Sequence, residues 1–198
     1  RLSEANADAH YDRIAAALER PDFRPRALYE RFNIEVISTT DGALDPLAAH
    51  QRIRASGWKG RVLPAYRPDA VVDPEFEGFS ANLAALGAMT GCDTMTWTGY
   101  LDAHRARRAF FIGYGATSSD HGHPSARTAN LSAADAARLF DRVKGGAASP
   151  EDADLFRGQM LTEMAKMSLD DGLVMQIHPG SFRNHNPVLF ASNGRDMG

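Results

Sequence analysis

One apolar run restricts the fold of this chain more than any other. Leu173-Val174-Met175-Gln176-Ile177 follows Asp171-Gly172 and stops at His178-Pro179-Gly180-Ser181-Phe182-Arg183-Asn184. Four or five apolar residues bounded by turn formers suit a strand covered on both faces, as in a parallel sheet wrapped by helices. In a β/α barrel the C-terminal strand ends and the loops after them build the active site. His178, Arg183, Asn184, His185 and Asn186 are therefore expected near that face.

The rest of the chain repeats this alternation. Ser3 is a candidate N-cap for a helix carrying Tyr11, Ile14, Ala15 and Leu18, ended near Pro21. Residues 34–37 read as a strand, and Ser38-Thr39-Thr40-Asp41-Gly42 as the polar loop after it. Asp45-Pro46 opens a short helix that Gly57 stops. Residues 61–66 form a second strand, tipped by Arg67-Pro68-Asp69. Residues 79–89 and 101–108 read as helices, the second basic, with Arg105, Arg107 and Arg108 on a solvated face. A third strand is expected in or just after Ala109-Phe110-Phe111-Ile112-Gly113-Tyr114-Gly115, emerging at Ser118-Ser119-Asp120-His121-Gly122-His123. Ser132 with Asp135 starts another helix. Ser149-Pro150 starts a longer one, whose stripe of Leu155, Phe156, Met160, Met164 and Met167 is core. Strands separated by helices predict an α/β fold with a parallel sheet.

Composition removes several function classes. With 22 basic against 25 acidic residues there is no basic excess for nucleic acid. No apolar run approaches the roughly 20 residues of a membrane span, and no signal-peptide pattern is present. A soluble, cytoplasmic protein is the expectation. The single cysteine, Cys92, rules out an intrachain disulfide framework. No GxGxxG or GxxxxGK[ST] follows a strand, so no nucleotide cofactor is expected. No Gly-x-Ser-x-Gly elbow supports a serine hydrolase.

What remains is a set of polar residues at strand ends. His178, with Asp120, His121 and His123 at another tip, has the nitrogen and oxygen donors a divalent metal takes, although the spacing is not diagnostic. A polar ring ending an apolar strand needs a partner, which singles out His178. Arg183, Arg67 and Arg127 have the planar fork that suits an anion. Trp97 either lines a pocket or packs. Together these point to metal-assisted or general acid–base chemistry on a small polar anion.

Several segments, in this order, resemble one family: Thr39-Thr40-Asp41, the run from Arg61 to Asp69, Ser119-Asp120-His121-Gly122, and Met175-Gln176-Ile177-His178-Pro179-Gly180 through Arg183-Asn184. The chain resembles the uronate isomerases over nearly its whole length. The resemblance implies a (β/α)₈ TIM barrel of amidohydrolase type, with strands 2 to 5 in residues 1–198 as part of a longer catalytic domain. It implies aldose-ketose isomerisation of D-glucuronate to D-fructuronate and D-galacturonate to D-tagaturonate through an enediol. By the same resemblance His178 and Asp120 are catalytic, while Arg183, His121, Arg67 and Asn184 contact the uronate; Trp97, outside the matching segments, is a candidate contact as a pocket-lining ring. His178 is also a candidate ligand for a divalent metal, zinc in most of the family, and a homo-oligomer is expected. The superfamily's His-x-His metal pair and final-strand Asp have no counterpart among these residues, so the segment alone is expected to be inactive. Two alternatives stay open: a metal-dependent hydrolase of a related sugar acid, and a catalytically incomplete fragment that binds sugar acids.

Overall fold

The computed structural model describes residues 1–180 and 184–194. The chain starts with a 3₁₀ turn at Glu4–Asn6, where Ser3 and Asn6 form a reciprocal capping box. Helix α1 (Ala7–Leu18) and helix α2 (Pro25–Arg31) follow. Then come strand β1 (Ile37–Gly42), helix α3 (Ala48–Ala55) and strand β2 (Val62–Arg67). Helices α4 (Asp69–Val72), α5 (Phe79–Thr90) and α6 (Trp97–Gly113) lead to strand β3 (Ser118–His121). Helices α7 (Ala133–Val143) and α8 (Pro150–Asp171) lead to strand β4 (Val174–Ile177), and α9 (Pro187–Asn193) comes last. The four strands are parallel and lie in sequence order, β1-β2-β3-β4. Helices carry every crossover, so the described sheet is an arc of a β/α barrel.

Alternation along a strand gives the sheet two unlike faces. Tyr66 packs edge-on against Phe111 of α6 and heads a core that includes Leu83, Leu86, Tyr100, Phe140, Phe156, Met160 and Met164, all fully buried. That core lies between sheet and helices. Arg67, one residue on from Tyr66, turns to the opposite face, which holds the barrel interior. There Val174 is 65% exposed, because the described residues place nothing across the interior from it.

The structure differs from the sequence reading in several places. Residues 38–42, read as loop, are the strand itself, paired from Ile37 opposite Val62 to Gly42 opposite Arg67. Residues 109–113, a candidate third strand, instead complete α6, a single 17-residue helix. Arg107 and Arg108, read as a solvated face, are buried. Arg107 donates from Nε to Ala43 O and from Nη2 to Asp45 O, both at 2.7 Å. Arg108 grips Asp171 at 2.6 and 2.9 Å. Arg105 stays exposed and paired with Asp102. No described helix is long and apolar enough to cross a membrane.

Candidate active site

The site is built from adjacent strand tips at the C-terminal edge of the sheet. Tyr66 stands opposite Ser119, so the next residues along, Arg67 and Asp120, face each other on the interior side. Asp120 stands opposite Gln176, and the ladder runs two residues further, with His178 N donating to His121 O at 3.2 Å. Register thus sets Arg67, Asp120 and His178 side by side.

Their side chains form one charged chain. His178 Nε2 lies 2.9 Å from Asp120 Oδ1, and Arg67 Nη1 lies 3.6 Å from Asp120 Oδ2. Arg67 Nε also donates to Asp69 Oδ2 at 2.7 Å. Exposure grades along the chain: the Asp120 side chain is 10% exposed, Arg67 32% and His178 44%. The carboxylate is buried behind a ring that faces outward. A carboxylate on one ring nitrogen fixes tautomer and ring orientation, leaving the other nitrogen for a proton, a substrate or a metal. Here that other nitrogen is Nδ1 of His178.

His121 is not part of this chain. It points to the helix side with Ser119, whose Oγ lies 3.0 Å from its Nε2, and it is fully buried with Nδ1 unpartnered. Burial, reinforced by neighbouring His123 and opposed by Asp69, pushes its pKa down to about 3. His123 is buried too, with both ring nitrogens unpartnered, and burial lowers its pKa against the pull of Asp69 and Asp73. Neither ring is brought to the rim. Trp97 is also away from it, packed at 5.8 Å from Phe140 and 5.9 Å from Tyr100 in the helix-side core. Asn184 is half-buried with a positive φ of 55°. Arg183 lies outside the described residues, while Arg127 is paired with Asp154 in the first turns of α8.

Two residues that the sequence reading named only within strand-end runs, without a role, belong to the site. Asp69 accepts the Arg67 bond and two longer ones from Gly122 N. Gly122 lets the β3 loop come close. A Cβ there would collide with Arg67 Nη2 and stand 2.8 Å from Asp69 Oδ2 and 3.2 Å from His178 Cε1. The signal was present in the sequence: an Asp two residues after a strand-end Arg, and a Gly directly after Asp-His.

A metal requires converging donors, and among the described residues no three His, Cys, Asp or Glu side chains gather. The described residues offer one ligand position, Nδ1 of His178, and no cage. A cleft of about 220 Å³ lined by residues including His50, Arg54, Trp58, Arg61 and Tyr114 lies at the N-terminal end of β2. Barrel enzymes do their chemistry at the other end.

A family model described as glucuronate isomerase matches residues 1–198. Uronate isomerase from Rhizobium meliloti is 68% identical over 196 residues, covering 99% of this chain and 42% of that protein. Uronate isomerase from Xanthomonas oryzae pv. oryzae is 66% identical over 198 residues, with 100% and 42% covered. A crystal structure of glucuronate isomerase from Caulobacter crescentus matches with a TM-score of 0.94 at 57% identity, over 99% of this chain and 41% of that one. Uronate isomerase from Thermotoga maritima matches with a TM-score of 0.90 at 24% identity, over 100% of this chain and 44% of that one, a likeness of fold alone. The chain thus spans about two fifths of the length of the relatives it matches.

Proposed function

We propose, from the premise that this chain belongs to the glucuronate isomerase family, that the protein it is part of is a uronate isomerase of the amidohydrolase type. It would convert D-glucuronate to D-fructuronate and D-galacturonate to D-tagaturonate. The observation that carries the proposal is the 2.9 Å pair of His178 Nε2 and Asp120 Oδ1 at the barrel rim. It occurs in a chain 68% identical to a uronate isomerase.

The reaction removes a proton from C2, passes through an enediol spanning C1 and C2, and returns a proton to C1 while the O2 hydroxyl proton moves to O1. A group that works both ways must be positioned, and an imidazole can both accept and donate a proton. Asp120 holds His178 through Nε2, so Nδ1 is the atom that takes and returns a proton. Arg183 and Asn184, which follow β4 in the sequence, are proposed to bind the sugar acid, the arginine by its fork on the carboxylate. Arg67 is already engaged by Asp69 and Asp120 and supports the pair from behind. A divalent metal, zinc in this proposal, would polarise the sugar carbonyl and be held by ligands outside residues 1–198, since Nδ1 of His178 is committed to the proton. A cytoplasmic homo-oligomer completes the proposal.

The test is turnover by the full-length protein, followed by proton NMR of the sugars. His178→Gln is expected to lower kcat by about 10²- to 10⁴-fold, the usual contribution of a positioned acid–base group. Asp120→Asn should lower it by about 10- to 100-fold through loss of ring orientation. Hydrolysis of a uronolactone or uronamide without isomerisation would establish the hydrolase instead. No turnover of either kind would leave binding alone.

A further inference from the structure

We propose that Asp69 is a positioning residue for this site: its carboxylate ties the Arg67 guanidinium to the backbone of Gly122 and through them fixes the Asp120–His178 pair. The inference rests on the isomerase reading for its kinetic readout and on geometry for its substance. Asp69 opens α4, but its carboxylate accepts its bonds from elsewhere, Arg67 Nε at 2.7 Å and Gly122 N at 3.2 and 3.3 Å. Those donors belong to the tips of two adjacent strands, β2 and β3. The Asp69 side chain is 16% exposed, so these bonds are only weakly screened.

The two tied groups are the ones that bracket the reactive pair. Arg67 reaches on to Asp120 Oδ2, and the position a Gly122 Cβ would take is 3.2 Å from His178 Cε1. Asp69 thus sets the distance between the arginine behind Asp120 and the loop beside the imidazole. Replacing the carboxylate by an amide keeps one acceptor for Gly122 N but turns an N–H toward Arg67, donor against donor. The guanidinium is then free to close on Asp120 Oδ2 and rotate that carboxylate away from His178. A shift of about 1 Å at a reacting group is worth up to about 10²-fold in rate, while binding of a substrate held by other residues changes little.

The experiment uses the full-length protein with Asp69→Asn, Asp69→Glu and Gly122→Ala. Kinetics are taken with D-glucuronate, thermal melting is recorded, and the His178 ring is observed by ¹⁵N NMR after histidine labelling. Asp69→Asn is expected to lower kcat about 10- to 100-fold with KM within about threefold. The His178 signals should move, the melting temperature should hold, and Asp69→Glu should recover part of kcat. A kcat within twofold of the parent and unmoved His178 signals would overturn the inference. Should Asp69→Asn fail to fold, Gly122→Ala decides, because it displaces the same Arg67 without removing a charge: a matching kcat loss supports the tie, and full activity sinks it. If the unsubstituted protein isomerises no uronate, the isomerase reading fails and the NMR signals alone judge Asp69.

Discussion

Asp120 gives each of its oxygens a different partner, Oδ1 to His178 and Oδ2 to Arg67, and that division makes the strand tip a site. The histidines behind it behave differently. His104 is fully buried, with Tyr66 Oη 2.8 Å from its Nδ1 and its Nε2 unpartnered. Burial, with Arg108 close by, lowers its pKa to about 3, the same as for His121. Both rings are neutral in the folded protein, whereas an unfolded chain takes up their protons near pH 6.5. Their contribution to stability is therefore complete above about pH 6.5 and declines as pH falls toward 3, by about 1.4 kcal/mol per pH unit for each ring. Urea unfolding of the full-length protein between pH 8 and 4 should show that decline. His104→Gln should flatten it by about one ring's share, and an unchanged slope would refute the assignment. His178 was legible from sequence because a ring ending an apolar strand calls for a partner. The facing of His121 was not, since a four-residue strand start cannot be placed to within one residue, and a one-residue slip reverses the face.

Helix α6 is held by packing rather than by its own polarity pattern. Tyr100, Phe140 and Phe156 stack across α6, α7 and α8 with centroids 4.7 to 6.2 Å apart, and Trp97 covers one edge. Phe156→Ala removes the ring that α8 contributes to the stack and should cost about 3 to 5 kcal/mol, read as a drop in the urea midpoint of the full-length protein. A loss below about 1 kcal/mol would mean the stack is dispensable. The stripe on α8 and the caps at Ser132 and Ser149 were readable because 3.6-residue periodicity and Ser-x-x-Asp or Ser-Pro starts are local. Both serines accept the expected N–H bonds, from Asp135 and Asp152. The start of α6 was missed because Thr96 caps it with no flanking signal, and its buried Arg107 and Arg108 look like surface in any window. Their partners, Ala43 O, Asp45 O and Asp171, are about 60 residues away. Residues 38–42 read as loop because polar side chains and a glycine suit turns. In the fold Thr39 bonds Asp41 and His50, and the pairing with β2 makes the strand.

Across the molecule, the edge strands of the described sheet leave apolar side chains exposed. Val174 at 65%, Ile177 at 44% and Ile37 at 38% are exposed on edge strands β4 and β1, and exposed strand edges invite pairing. Residues 1–198 produced alone should therefore self-associate and show no uronate turnover, measured by light scattering after size exclusion and by sugar NMR. A monodisperse, active fragment would contradict this. By itself the sequence determined the α/β class, the order of strands and helices, the family, and the presence of His178 and Asp120 at strand ends, because period, caps and turn chemistry are written locally. Tertiary structure alone decided which face each polar residue takes, that Arg107 and Arg108 are buried, and that Asp69 and Gly122 join Arg67, Asp120 and His178. Those facts depend on strand register and on partners far away in the chain, and no local window contains either.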